Sequence, residues 1–326
     1  NEPATALRIL AGPRYFWVPL GHRWEAIAAL QKALDAAPER NEVRVNALNT
    51  LALLASVSVA LTAVTRKTNR FDLPTLTEDP GSQRPEDVPE PNAYEAAVEA
   101  TAIAEELGDP GLIAFSQFRQ GFTLDAREHA DRARQLILNA HDVFEATNLT
   151  SESASAVHSL TRLELTLGNY DVAEQLAKEN LRIREKTDHL VGQLTTLDTL
   201  ARIARAQGDY PTSMSHHRRA IGLAEGTDTE PTVAAYLHTE VAYLAMNLHD
   251  PVLASRELGL ALGEARNTGH RRAAGAVRLA QAQLAVEDLH FVSAHCFLVE
   301  ALEIFEDSDD TTAVAYTLGV WGLLQH

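Results

Sequence analysis

Apolar and polar positions along this 326-residue chain recur with helical rather than strand periodicity. Within 170–186, Val172, Ala173, Leu176, Ala177, Leu181 and Ile183 fall near i, i+4, i+8 spacing, while Glu174, Lys178, Glu179 and Arg182 take the other side. Within 155–167, Val157, Leu160, Leu163 and Leu167 form a single stripe. The two segments meet at Gly168-Asn169-Tyr170, and the pair closes at Lys186-Thr187-Asp188. The pattern predicts two antiparallel helices joined by a tight turn. Gly or Asn would supply the left-handed position at a helix end, and Asp or Thr would cap the next start.

The hairpin recurs. Its closing turn reappears as Leu107-Gly108-Asp109, Ala146-Thr147-Asn148, Lys186-Thr187-Asp188, Gly226-Thr227-Asp228, Asn267-Thr268-Gly269 and Asp307-Ser308-Asp309, at intervals of 39, 40, 40, 41 and 40 residues. The inner turn keeps the rhythm at Gly168-Asn169-Tyr170 and Gly208-Asp209-Tyr210, with His249-Asp250 and Asp288-Leu289 as degenerate copies and Arg127-Glu128-His129 as a weaker one. One hairpin cannot bury its apolar stripe alone, whereas stacked neighbours can. The expected fold class is therefore all-α, a right-handed superhelical solenoid of αα-hairpins, forming a single repeat domain over 1–326.

One repeat is interrupted. Its first helix is expected over 43–64 and its second only from Tyr94. Residues 66–92 between them carry five prolines and many acids, and they read as an exposed insertion loop within an early repeat. Such a loop is either a tolerated surface insertion or a tether with a recognition role. The stretch 45–65 is uncharged and long enough to span a bilayer. Asn46, Asn49, Thr50, Ser56, Ser58, Thr62 and Thr65 interrupt it, so it reads as a buried helix rather than a membrane span.

Composition narrows the function. Aromatics are only 6%, which fits a helix-rich rather than a β-rich chain, and the formal charge of −17 argues against a nucleic-acid surface. A single cysteine, Cys296, excludes a disulfide framework or a cysteine-cluster zinc site and fits a cytoplasmic protein. Its place near the apolar stripe of 292–305 predicts a buried thiol. The N-terminus shows no basic region followed by an apolar run, and the chain reads as a segment of a longer protein. No phosphate loop, nucleophile elbow or His-Glu-x-x-His helix occurs. His216 and His217 are adjacent, point in different directions on a helix, and read as packing or solvated side chains. The expectation is a protein with no enzymatic activity, no metal and no cofactor.

LGNYDVAEQLAKENL and QGDYPTSMSHHRRAI resemble tetratricopeptide repeats, with small residues at Thr161 and Ala201 in the first helix, a GDY-like turn, and small residues at Ala173 and Ser213 in the second. The long period is similar to that of kinesin light chains and of the C-terminal regions of bacterial LuxR-type and AfsR-type signal-transduction ATPase regulators. Residues 6–39, with Phe16-Trp17, Gly21 and Trp24-Glu25, resemble the segment that opens the repeat array in those regulators. The resemblance implies a sensor or interaction domain that binds a peptide, a protein or a small inducer on its concave face. ATPase and DNA-binding modules would then belong to the same full-length polypeptide. The alternative is a stand-alone adaptor. The apolar segment 311–326 has no partner helix after it, which leaves self-association open.

The resemblance also places ligand contacts on the first helix of each hairpin. Those positions are Asn46 and Asn49, then His158 and Arg162, then Thr195, Asp198, Arg202 and Arg205, and finally Tyr236, Thr239 and Tyr243. In so acidic a chain, Arg162, Arg202 and Arg205 stand out. They suit a carboxylate or phosphate, or equally ion pairs with acids of adjacent repeats. Tyr236 and Tyr243 lie on one helix face and suit core packing or ligand stacking.

Overall fold

A computed structural model describes residues 2–11, 23–65, 88–225, 231–267, 269, 271–307 and 310–324. Among these, the chain forms helices and turns throughout: α1 (Glu2–Ala11), α2 (Arg23–Ala36), α3 (Glu42–Thr65), α4 (Ala93–Leu107), α5 (Pro110–Thr123), α6 (Ala130–Ala146), α7 (Thr150–Leu167), α8 (Tyr170–Lys186), α9 (Leu190–Ala206), α10 (Tyr210–Ala224), α11 (Pro231–Asn247), α12 (Pro251–Asn267), α13 (Arg271–Glu287), α14 (Phe291–Asp307) and α15 (Thr311–Leu324). Within each unit successive helices pack on one another, α4 on α5 and α5 on α6 in the first, α9 on α10, α11 on α12 and α13 on α14 in the second, the all-α helical-hairpin fold expected from the repeat. The array predicted as one domain comprises two compact units, one holding α1–α7 and α8 to Ile183, the other running from Arg184 through α15.

Left-handed backbone sets the rhythm. Gly108, Asn148, Gly168, Asp188, Gly208, His249, Gly269 and Leu289 all have positive φ. They lie twenty residues apart, or twice that, to within one residue. At six of these turns the amide after the left-handed residue reaches back five positions, as in Asn169 N to Glu164 O at 2.9 Å and His290 N to Ala285 O at 2.7 Å. That bond satisfies a helix-end carbonyl and turns the chain back in a few residues. Asx caps start the following helices: Asp209 Oδ1 accepts from Thr212 N at 3.0 Å, and Asp250 Oδ1 from Leu253 N at 3.0 Å. The Arg127-Glu128-His129 turn differs, being built on the Asp125 carboxylate, which accepts the amides of Arg127 and Glu128.

The small residues of the repeat are buried where helices cross: Thr161, Ala173, Ala201 and Ser213 are all inaccessible. In the first unit, Phe118 and Phe144 meet edge to face at 6.3 Å, beside Ile137, Ala140 and Leu160. In the second, Leu279, Leu298 and Phe305 pack between α11 and α15 with Ala235, Ala276 and Ala301. Helices α3 and α4 bracket the predicted insertion at the expected positions. Residues 66–87 of that insertion lie outside the described residues, while Val88 at its end is buried against the first unit's core. Phe16, Trp17, Gly21 and the turn at 226–228 also lie outside them; Trp24 is buried in α2. No helix among the described residues is long and apolar enough to cross a membrane.

Cys296 corrects the sequence reading, because its side chain is exposed. The buried stripe of α14 is Ala294, Leu298, Ala301 and Phe305. Cys296 stands two residues from Ala294, about 200° around the helix, so it falls on the opposite side.

Candidate ligand-binding face

The second unit assembles a polar cluster on α9, α10 and α11. Asp198, Arg202 and Arg205 stand at i, i+4 and i+7 on α9, and Tyr236, Glu240 and Tyr243 repeat that spacing on α11. Helical geometry puts each trio on one face. Between the trios, the Tyr236 hydroxyl donates to Asp198 Oδ1 at 3.0 Å, and Arg205 Nη1 meets Glu240 Oε2 at 2.9 Å. This second contact is the inter-repeat ion pair that the sequence left open for Arg205.

Arg202 differs from its neighbours. It is half-buried, and among the described residues it has neither a hydrogen-bond nor an ion-pair partner. The neighbouring acids are engaged: Asp198 by Tyr236 and Glu240 by Arg205. A guanidinium so placed has its full donor fork free for a planar anion.

His217 of α10 completes the cluster from beneath. Its side chain is 1% exposed, and Nδ1 has no hydrogen-bond partner. Burial holds its pKa below the ordinary histidine value. The carboxylates of Asp198 and Glu240 oppose that shift, while Arg205 and Arg202 reinforce it. The imidazole is therefore neutral at pH 7, a polar but uncharged floor. One turn earlier on α10, the buried Ser213 hydroxyl is likewise without a partner. Tyr236, half-buried as a whole, has its phenol pKa pushed well above the usual value, first by burial and then by Asp198 and Glu240. It acts as a hydrogen-bond donor and stays protonated.

The remaining predicted contacts sit elsewhere. Thr239 is buried and turns its hydroxyl back to Ala235 O at 2.7 Å. Tyr243 is buried, donates to Gln283 Oε1 at 3.0 Å, and so belongs to the packing between α11 and α13; Gln283 in turn donates to Tyr316 at 3.2 Å. Thr195 is exposed, and its hydroxyl returns to Val191 O and Gly192 O. In the first unit Asn49 is buried and donates to Ser116 Oγ at 2.9 Å, whereas Asn46 is half-buried. His158 and Arg162 are half-buried on α7, with the Arg162 guanidinium 5.5 Å over the Phe122 ring. Sequence reasoning had put His217 down to packing or solvation and had passed over Glu240. An i+4 spacing from Tyr236 was the available signal for Glu240. No sequence signal tied His217 to helices on either side of it.

Among the described residues no group of three His, Cys, Asp or Glu side chains is placed to hold a metal ion. Among the described residues the cluster combines Arg202, without a hydrogen-bond or ion-pair partner, the Tyr236–Asp198 and Arg205–Glu240 pairs, and the neutral His217 and Ser213.

The fold is that of a tetratricopeptide-like helical solenoid. Residues 152–226 match the tetratricopeptide repeat family. No curated protein sequence matches the chain. Among solved structures, the apo form of RapI is similar at 16% identity and a TM-score of 0.62, over 98% of this chain and 82% of that one. A Rap protein complexed with Competence and Sporulation Factor is similar at 10% identity and a TM-score of 0.51, over 99% of each chain. A signal transduction ATPase with numerous domains bearing a tetratricopeptide repeat sensor, PH0952 from Pyrococcus horikoshii, is similar at 11% identity and a TM-score of 0.57. That match covers 91% of this chain and 42% of PH0952. At such identities the likeness is one of fold.

Proposed function

We propose that the chain is a non-catalytic, cytoplasmic sensor and interaction domain of a bacterial signal-transduction ATPase regulator of the LuxR or AfsR type, and that it binds an acidic peptide or small carboxylate on the α9–α11 face. The observation that carries this is Arg202, a half-buried guanidinium without a partner in a cluster whose acids are already engaged. A guanidinium with no internal hydrogen bond or ion pair keeps its donors available to a carboxylate that arrives from solvent. The similar fold of a Rap protein in complex with a signalling factor, and of a repeat sensor joined to an ATPase, supports the reading. Binding would act by shifting an equilibrium between states of the regulator.

A pool of short peptides with free C-terminal carboxylates, and the same pool amidated, can be presented to the protein and read by ligand-observed NMR. Signals expected from the carboxylate pool should vanish on amidation and in Arg202→Ala, and persist in Arg162→Ala. Equal signals from wild type and Arg202→Ala would sink the site.

A stand-alone adaptor is the second reading, favoured by the near-complete mutual coverage with the Rap structures. The reading frame upstream of Asn1 separates the two. An in-frame phosphate-loop ATPase supports the regulator, and a start codon immediately before Asn1 refutes it.

A further inference from the structure

The second unit carries an exposed apolar edge at helix ends, separate from the side chains of the α9–α11 cluster. Leu248 in the turn between α11 and α12 and Val252 at the start of α12 are exposed, Val252 to 79%. Leu289 in the turn between α13 and α14 and Phe291 and Val292 at the start of α14 are exposed, to 71%, 53% and 82%. Helices α11 and α13 pack directly on one another and run parallel, since each is followed by an antiparallel partner. Their C-terminal turns therefore lie at the same end of the unit, about 10 Å apart, which is the usual spacing of packed helices. Single exposed apolar residues are ordinary; five at corresponding turns of adjacent hairpins form a patch.

Backbone conformation is a second, independent observation. At this turn the earlier hairpins use Gly168 and Gly208, with φ of 80° and 81°. The last two use His249 and Leu289, with φ of 56° and 59°. Glycine adopts this region freely, whereas a residue with a Cβ loses about 1–2 kcal/mol there. Leu289 thus carries both backbone strain and an apolar side chain held in water. Neither helps the fold, and strain of this kind concentrates where a side chain has a task.

Charge indicates the occupant. Exposed acids Asp250, Glu287 and Asp288 lie in the same two turns as the apolar residues, together with His249 and His290. No lysine or arginine falls between positions 244 and 255 or between 279 and 299. An apolar strip whose flanking formal charges are carboxylates, with His249 and His290 among its other exposed polar side chains, complements a helix with one apolar face and lysine or arginine beside it. We infer that this turn edge, centred on Leu289 and Val292, docks a basic amphipathic helix of a partner protein.

The test uses a fluorescent synthetic helix of leucine and lysine at helical spacing, with a control in which glutamate replaces lysine, titrated by anisotropy at neutral pH and moderate salt. The variant is Leu289→Gly with Val292→Asp. Glycine fits the left-handed turn and Val292 is almost fully exposed, so this protein should fold at least as well as the wild type. Expected is binding of the lysine helix by the wild type, about tenfold weaker binding by the variant, and none of the glutamate helix by either. Equal affinity for wild type and variant would reduce the effect to general attraction by an acidic protein and overturn the assignment. Absence of binding by the wild type would also overturn it. Sedimentation covers the remaining occupant: a wild-type dimer that the variant abolishes would replace the basic helix with a second copy of this chain.

Discussion

The Tyr236 hydroxyl donates to Asp198 across two hairpins, 38 residues apart in sequence and 3.0 Å apart in space. Because Asp198 is half-buried, removing the donor strands part of a carboxylate's hydrogen-bonding capacity. Tyr236→Phe is expected to cost about 1–2 kcal/mol, and combining it with Asp198→Ala should cost less than the sum. Urea denaturation of the two single variants and the double variant measures the coupling; strict additivity would show that the bond contributes nothing.

Arg202 should behave oppositely. With no hydrogen-bond or ion-pair partner among the described residues, Arg202 adds little to the fold, so Arg202→Met is expected to change stability by less than about 1 kcal/mol. Arg205→Met, which strands Glu240, should destabilise by about 2–4 kcal/mol. Thermal melts of both variants distinguish the free guanidinium from the paired one. Equal losses would mean that Arg202 is also structural.

His217 gives the fold an acid sensitivity. Burial depresses its folded-state pKa below the unfolded value of about 6.5. Below that value the unfolded chain takes up a proton that the folded one refuses. Stability is therefore fully present above about pH 6.5 and falls as pH drops toward the folded pKa, by at most about 1.4 kcal/mol per pH unit. His217→Gln should flatten the change in Tm across this range. An unaltered pH profile would assign the acid sensitivity to other groups.

Glycines of this chain divide by physical role. Gly208 has φ of 81° and open space around it, so Gly208→Ala is expected to cost about 1 kcal/mol through the backbone alone. Gly275 lies within α13, where an added Cβ would come 2.8 Å from the Phe305 ring and 2.9 Å from Ile304 Cγ2. Gly275→Ala should cost about 1–3 kcal/mol by overpacking α13 against α14. Phe305→Leu in the Gly275→Ala background should recover part of that loss but none of the loss in Gly208→Ala. Recovery in neither, measured by chemical denaturation, would contradict the contact.

Local chemistry was readable from sequence. Turn residues recur every forty positions because a hairpin has to be closed by the same left-handed geometry each time, and Gly168, Gly208, Asn148 and Asp188 meet that demand within a few residues of chain. Helical stripes likewise depend on neighbours three and four apart. Cys296 was misjudged because a stripe's edge is a matter of tens of degrees, and two residues from Ala294 is enough to cross from core to solvent.

What a side chain meets across the stack depended on tertiary structure. The same outward-looking pattern on first helices includes Thr239, folded back on its own helix; Tyr243, locked to Gln283; and Arg202, left without a partner. His217 became part of the cluster only because α10 packs against both α9 and α11. The sequence by itself determined the unit, its period and its turns, since these follow from interactions within a few residues. Which polar groups are spent on each other and which remain free was decided by the stacking of hairpins, since that pairing joins residues some 35 to 40 positions apart.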